Sequence, residues 1–161
     1  MYNLALHYTQ IAEDAEEIAQ DVFVNIYSNS HRFKGESTIK TWVYKITVNK
    51  SLDFIKAKQR KKRRFWIGAQ DIQSPLTLAP TETMHPGVIL EEKEAMSLVF
   101  AAINELPTRQ KTALILLKIE QQSLAEVQEI MGLKPKALES LMQRAKQNLE
   151  KKLAQNKGNE K

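Results

Sequence analysis

Residues 32–47, RFKGESTIKTWVYKIT, set Phe33, Trp42 and Tyr44 among Arg32, Lys34, Lys40 and Lys45, with Gly35 opening a Gly-Glu-Ser-Thr turn. Aromatic faces can stack on bases, and positive side chains can neutralise phosphates. A core helix can also use Trp42, but it has no need of the flanking positive charge. Residues 56–64, KAKQRKKRR, extend the basic character and read equally as a phosphate-binding surface or a solvated helix end. Bond-making chemistry has far less support. Asp14 with Glu17 is the carboxylate pair to consider, and no phosphate loop, nucleophile–base pair or metal cluster accompanies it. The chain has no cysteine, and His7, His31 and His85 lack ligand spacing, so neither a metal nor another cofactor is expected.

A basic turn and stripe need helices to hold them. Ala15, Ile18, Ala19, Val22, Phe23, Ile26 and Tyr27 recur at helical spacing with acids opposite, which predicts an amphipathic helix over 13–28 with those residues inward. After a break at 29–35, Ser37 or Thr38 can cap a second helix reaching about residue 60. On it Ile39, Trp42, Val43 and Ile46 face inward, while Lys45, Asn49, Asp53, Lys56 and Arg60 form one polar stripe. Residues 67–87, IGAQDIQSPLTLAPTETMHPG, are rich in Gly, Pro, Ser and Thr, show no helical period and read as a flexible linker.

Helical spacing returns in Ala95, Leu98, Val99, Ala102, Ile103 and Leu106, and Pro107 ends that helix. A further helical segment over 108–120 contains the run ALILL and is expected to be buried on most sides. Ser123-Leu124-Ala125-Glu126 is a capping box for a short helix with Val127, Ile130 and Met131 inward. Gly132 supplies a left-handed C-cap, and Pro135 suits the first turn of a longer helix striped by Leu138, Leu141, Met142, Ala145, Leu149 and Leu153. Short helix, glycine turn and longer helix form a helix-turn-helix, an arrangement used to read DNA and also to pack protein.

The 161 residues, 42% apolar and 27% charged, suffice for one ordinary domain or two small ones. The expected fold is all-α, with two small helical domains over 1–64 and 91–153, a flexible linker over 65–90 and a polar tail over 154–161. Charge is partitioned along the chain. Residues 1–31 hold five acids and no Lys or Arg, whereas 32–64 hold twelve bases against Glu36 and Asp53. Such blocks mark faces with different partners. No apolar run is long enough to span a membrane and no secretory leader follows Met1, so the expected location is the cytoplasm.

Two segments resemble one family. Residues 12–64, from the EDAEEIAQDVF stretch to the basic run, resemble region 2 of extracytoplasmic-function sigma factors of the sigma-70 family, and residues 103–149 resemble region 4. The resemblance implies a transcription initiation factor that binds bacterial core RNA polymerase through the beta-prime coiled coil and beta flap. It also implies recognition of minus-10 and minus-35 promoter DNA, with help in melting the duplex. An anti-sigma factor is a further implied partner.

By the same resemblance, Arg32, Phe33, Lys34, Gly35, Glu36, Ser37 and Thr38 surround a captured base, and Lys40, Lys45, Asn49 and Lys50 hold the melted strand. Tyr44 is the stacking candidate, while Trp42, on the stripe with Ile39, Val43 and Ile46, is expected in the core. Lys56 and Arg60 meet phosphates. Asp14, Glu17, Gln20 and Asp21 are assigned to the polymerase. Arg109, Lys134, Lys136, Ser140, Gln143 and Arg144 are assigned to the minus-35 element, with Lys111 adding a backbone contact. Glu139 and Leu141 stand where the family pattern carries bases; Glu139 can accept from a cytosine or repel phosphate. Members usually begin with another helix, so Tyr2, Leu4, Ile11 and Ile18 are expected to be under-covered and the first domain poorly stable. The competing reading is an autonomous helix-turn-helix regulator whose N-terminal helices dimerise.

Overall fold

The computed structural model describes residues 1–68 and 90–158, and all regular structure among the described residues is helical. The chain divides into two compact units, Met1–Thr81 and Glu82–Lys161.

In the first unit α1 (Tyr2–Thr9), α2 (Ala12–Asn29) and α3 (Ile39–Gly68) pack against one another. Gln10, at φ 58°, closes α1 by donating its N–H to Leu6 O, and extended Ile11 leads directly into α2. Ala5, Ala15, Ile18 and Val22 form the buried cluster, flanked by Tyr2, Leu6, Ile26, Ile46 and Phe54. Burying Ile18 or Val22 stabilises the unit by about 1.5–3 kcal/mol each. The expected under-coverage is corrected here: Leu4 and Ile18 are 2% and 1% exposed, and Tyr2 and Ile11 are half-buried. α1 provides the cover, because it packs on both α2 and α3.

The inward set expected on α3 is corrected as well. Ile39 is exposed, and Thr41, Thr47, Val48 and Ser51 are buried instead. Thr47 Oγ1 donates to Val43 O and Ser51 Oγ to Thr47 O, each at 2.8 Å, so these hydroxyl protons stay paired away from water. Small side chains with internally satisfied hydroxyls can therefore occupy a face that an apolar count assigns elsewhere. α3 also runs to Gly68, which makes residues 65–68 of the expected linker helical; residues 69–89 lie outside the described residues.

The second unit contains α4 (Leu90–Asn104), α5 (Thr108–Leu114), a π turn (Ile115–Ile119), α6 (Leu124–Met131) and α7 (Pro135–Gly158). Five successive apolar residues cannot all lie on one α-helical face. Ala113, Leu114, Ile115 and Leu116 are nonetheless all buried, because α7 packs on α5 and α6 packs on the π turn. The capping box forms as the sequence predicts: Ser123 N donates to Glu126 Oε2 at 2.8 Å, and Glu126 N to Ser123 Oγ at 3.2 Å. Gly132 sits at φ 62° and lets Leu133 N reach Gln128 O at 2.9 Å, which turns the chain into α7.

Lys111, expected at a DNA phosphate, is half-buried on α5. Burial pushes its ammonium from an ordinary 10.5 down to about 8. The unfolded chain holds that proton more tightly, so the charge costs stability below pH 8, and the cost is relieved as pH rises from about 8 to about 10.5. Lys111→Met is expected to stabilise the second unit at pH 7 by roughly 1–3 kcal/mol and to flatten this rise. Thermal melts of both proteins at pH 7 and pH 9.5 test it: a variant that gains nothing at pH 7 contradicts the desolvated ammonium.

Candidate nucleic-acid and partner interface

The turn between α2 and α3 is held at both ends. A single 3-10 turn, Ser30–Arg32, leads out of α2, and Phe33 N donates to Ser30 O at 3.1 Å. At the other end Thr38 Oγ1 accepts from Thr41 N at 3.1 Å and so caps α3. Gly35 lies at φ 72°, where a Cβ would meet no other atom within 4 Å. Its demand is therefore conformational: an L residue there costs about 1–2 kcal/mol. Arg32, Lys34, Glu36 and Thr38 are exposed, and Ser37 is half-buried.

Phe33 folds back onto Trp42, with ring centroids 5.3 Å apart and planes tilted by 47°. The expected placements of the two α3 aromatics are thereby exchanged. Trp42 stands three and seven residues before Lys45 and Asn49, on the polar stripe, and is half-buried by Phe33. Tyr44, flanked at i−3 and i+4 by buried Thr41 and Val48, lies on the inward side with Lys40 Nζ 5.8 Å from its ring centre. An aromatic wall beside an open glycine turn suits an unstacked base.

Lys45, Asn49, Asp53, Lys56 and Arg60 are all exposed, as the stripe predicts. From Lys45 to Arg60 the helix rises roughly 22 Å, the length of about six base-pair steps. Lys56, Gln59, Arg60 and Arg63 line one open groove at the far end. Lys50, expected to hold the melted strand, lies off this stripe and reaches back to Asp21 on α2 at 3.5 Å.

α2 presents a second surface. Glu17, Gln20 and Asp21 are exposed, but Asp14 is only 16% exposed and is paired with Lys58 of α3. Asp14 therefore joins helix to helix and is removed from the expected outward acidic set. The expected inward placement of Phe23 and Tyr27 is also corrected: they are 62% and 87% exposed, and Val24 is 65% exposed. Ala15, Ile18, Val22 and Ile26 already fill the face toward the core. Val24, apolar at a position opposite that face, is the sequence signal that betrays the patch. One solvent face of α2 thus carries acids along its first half and large apolar groups along its second, as protein-docking surfaces do.

In the second unit, Lys134, Lys136, Ser140, Gln143 and Arg144 are exposed along the first turns of α7, opposite buried Leu138 and Ala145. Arg144 Nε donates to Ser140 O at 3.2 Å. Arg109 is exposed at the start of α5. The short capped α6, the glycine turn and α7 with this polar face make a helix-turn-helix able to enter a major groove.

Comparison with known proteins places both units. Residues 1–61 match the family model described as sigma-70 region 2, and residues 97–149 match sigma-70, region 4. The chain is 31% identical over 144 residues to the RNA polymerase sigma factor SigV of Bacillus subtilis, covering 89% of this chain and 78% of that one. It is 29% identical over 143 residues to the ECF RNA polymerase sigma-E factor of Haemophilus influenzae, covering 87% and 75%. The fold resembles the sigma factor RpoE from Bartonella quintana, solved in complex with the anti-sigma factor NepR, at a TM-score of 0.67 and 19% identity over 95% of this chain and 89% of that one.

Proposed function

The chain belongs to the extracytoplasmic-function branch of the sigma-70 family and is a factor that directs RNA polymerase to promoters; from that premise we propose how its surfaces divide the work. The exposed face of α2, with Glu17, Gln20, Asp21, Phe23, Val24 and Tyr27, docks on the polymerase beta-prime coiled coil. Phe33, Gly35 and Trp42 receive a base flipped from the minus-10 element, and the Lys45–Asn49–Lys56–Arg60 stripe follows the strand and the adjoining duplex. Lys134, Lys136, Ser140, Gln143 and Arg144 face the minus-35 element, and Arg109 meets its backbone.

The observation that carries this reading is the separation of the two faces within the first unit. An acidic and apolar surface on α2 repels DNA and suits protein, while a basic and aromatic surface on α3 suits a nucleic-acid strand. The chain then needs no catalysis of its own, because the polymerase supplies the chemistry. No helix among the described residues is long and apolar enough to cross a membrane, and the proposed site of action is the cytoplasm. An autonomous regulator could cover the exposed aromatics of α2 by dimerising, but it would leave the aromatic turn before α3 without a role. An anti-sigma factor that covers either face is a further proposed partner.

The test is reconstituted transcription: the chain with bacterial core polymerase on a genomic promoter library, against core alone. Discrete start sites sharing two upstream motifs are expected. Failure of the chain to bind core polymerase would overturn the reading.

A further inference from the structure

Glu139 is the sole acid between Gly132 and Asn148, and it stands in the second turn of α7 among Lys136, Ser140, Gln143 and Arg144. It is exposed, and no ion pair or hydrogen bond among the described residues engages its carboxylate. The usual reasons for an acid near a helix start do not apply. It lies five residues into the helix, beyond the first turn where the N-terminal dipole favours a carboxylate. Lys136 precedes it by three residues, an order less favourable than acid before base, and the two are not paired.

If α7 enters a major groove, this carboxylate comes close to phosphates on both strands, and repulsion must be offset by a hydrogen bond from a base edge. Only two donors face the major groove: the N4 amino group of cytosine and the N6 amino group of adenine. Adenine carries the N7 acceptor beside its amino group, which repels the second carboxylate oxygen, whereas cytosine carries only a C–H there. Lys136, one turn earlier on the neighbouring side of α7, can donate to O6 or N7 of the partner guanine. Accordingly, we propose that Glu139 is a specificity-determining residue that accepts from a cytosine in the minus-35 element, with Lys136 on the opposing guanine. This rests on the assignment of α7 to that element.

The experiment uses holoenzyme assembled from the chain and bacterial core polymerase, with promoters whose upstream element is randomised and transcripts counted for each sequence. The wild-type protein is expected to favour cytosine about tenfold at one position. Glu139→Ala should flatten that position and leave the others unchanged. Glu139→Gln should move its preference to adenine, because a carboxamide can bond N6 and N7 together. Unchanged preferences in Glu139→Ala, or a uniform gain of activity across all sequences, would show that the carboxylate only repels phosphate and would overturn the proposal. A wild-type protein that initiates with no preference anywhere in the upstream element would instead overturn the assignment of α7 on which the proposal depends.

Discussion

Alanine at both Phe23 and Tyr27 is expected to weaken binding to core RNA polymerase at least about 100-fold while leaving the stability of the chain nearly unchanged. Aromatic side chains that are desolvated at an interface typically cost on the order of 2 kcal/mol each when truncated. The same residues contribute little to folding here, because they are 62% and 87% exposed and the face of α2 toward the core is filled without them. Exposed substitutions of this kind usually stay within about 0.5 kcal/mol of the parent. A binding titration against labelled core polymerase, paired with a thermal melt, separates the two effects. Full affinity in the double variant would remove α2 from the polymerase interface, and a large fall in melting temperature would return the two side chains to the core.

Lys45→Glu combined with Asn49→Asp is expected to abolish promoter opening, by at least about 100-fold, while changing core affinity no more than about twofold. The two changes turn the first two positions of the α3 stripe from positive to negative, directly after the Phe33–Trp42 pair. Both side chains are exposed and neither lies on the α2 face, so the fold and the polymerase contact have no reason to respond. Permanganate reactivity of unpaired thymines reports opening, and competition with the unmodified chain reports core affinity. Equal loss of both would show that α2 and α3 do not act on separate partners.

The helix boundaries that were easiest to read are those written in local chemistry. Ser123 and Glu126 bond each other's backbone as their spacing requires, and Gly132 takes the left-handed turn that only its neighbours in sequence demand. Thr38 is likewise settled by a contact three residues away. The polar stripe of α3 was legible for a related reason: exposed lysine, asparagine and arginine at helical spacing need no partner to define them.

Periodicity and packing part where a residue has more than one apolar surface available. Trp42 and Tyr44 share a helix and a chemical type, and periodicity places Trp42 with the apolar set. Phe33, arriving from outside the helix, covers Trp42 on the opposite side and leaves the inward face to Thr41, Thr47, Val48 and Ser51. Phe23 and Tyr27 extend an apolar arc that is wider than α1 and α3 can cover. Asp14 reads as one acid among several until Lys58, 44 residues later, reaches it.

The sequence by itself determined the helical class, the helix-turn-helix and the charge partition, since each depends on spacing within a turn or two. Which faces of α2 and α3 meet each other, and so which aromatics and acids remain for a partner, was decided only by tertiary packing. The physical reason is that burial depends on the area a neighbouring helix can cover, and that neighbour lies tens of residues away in the chain.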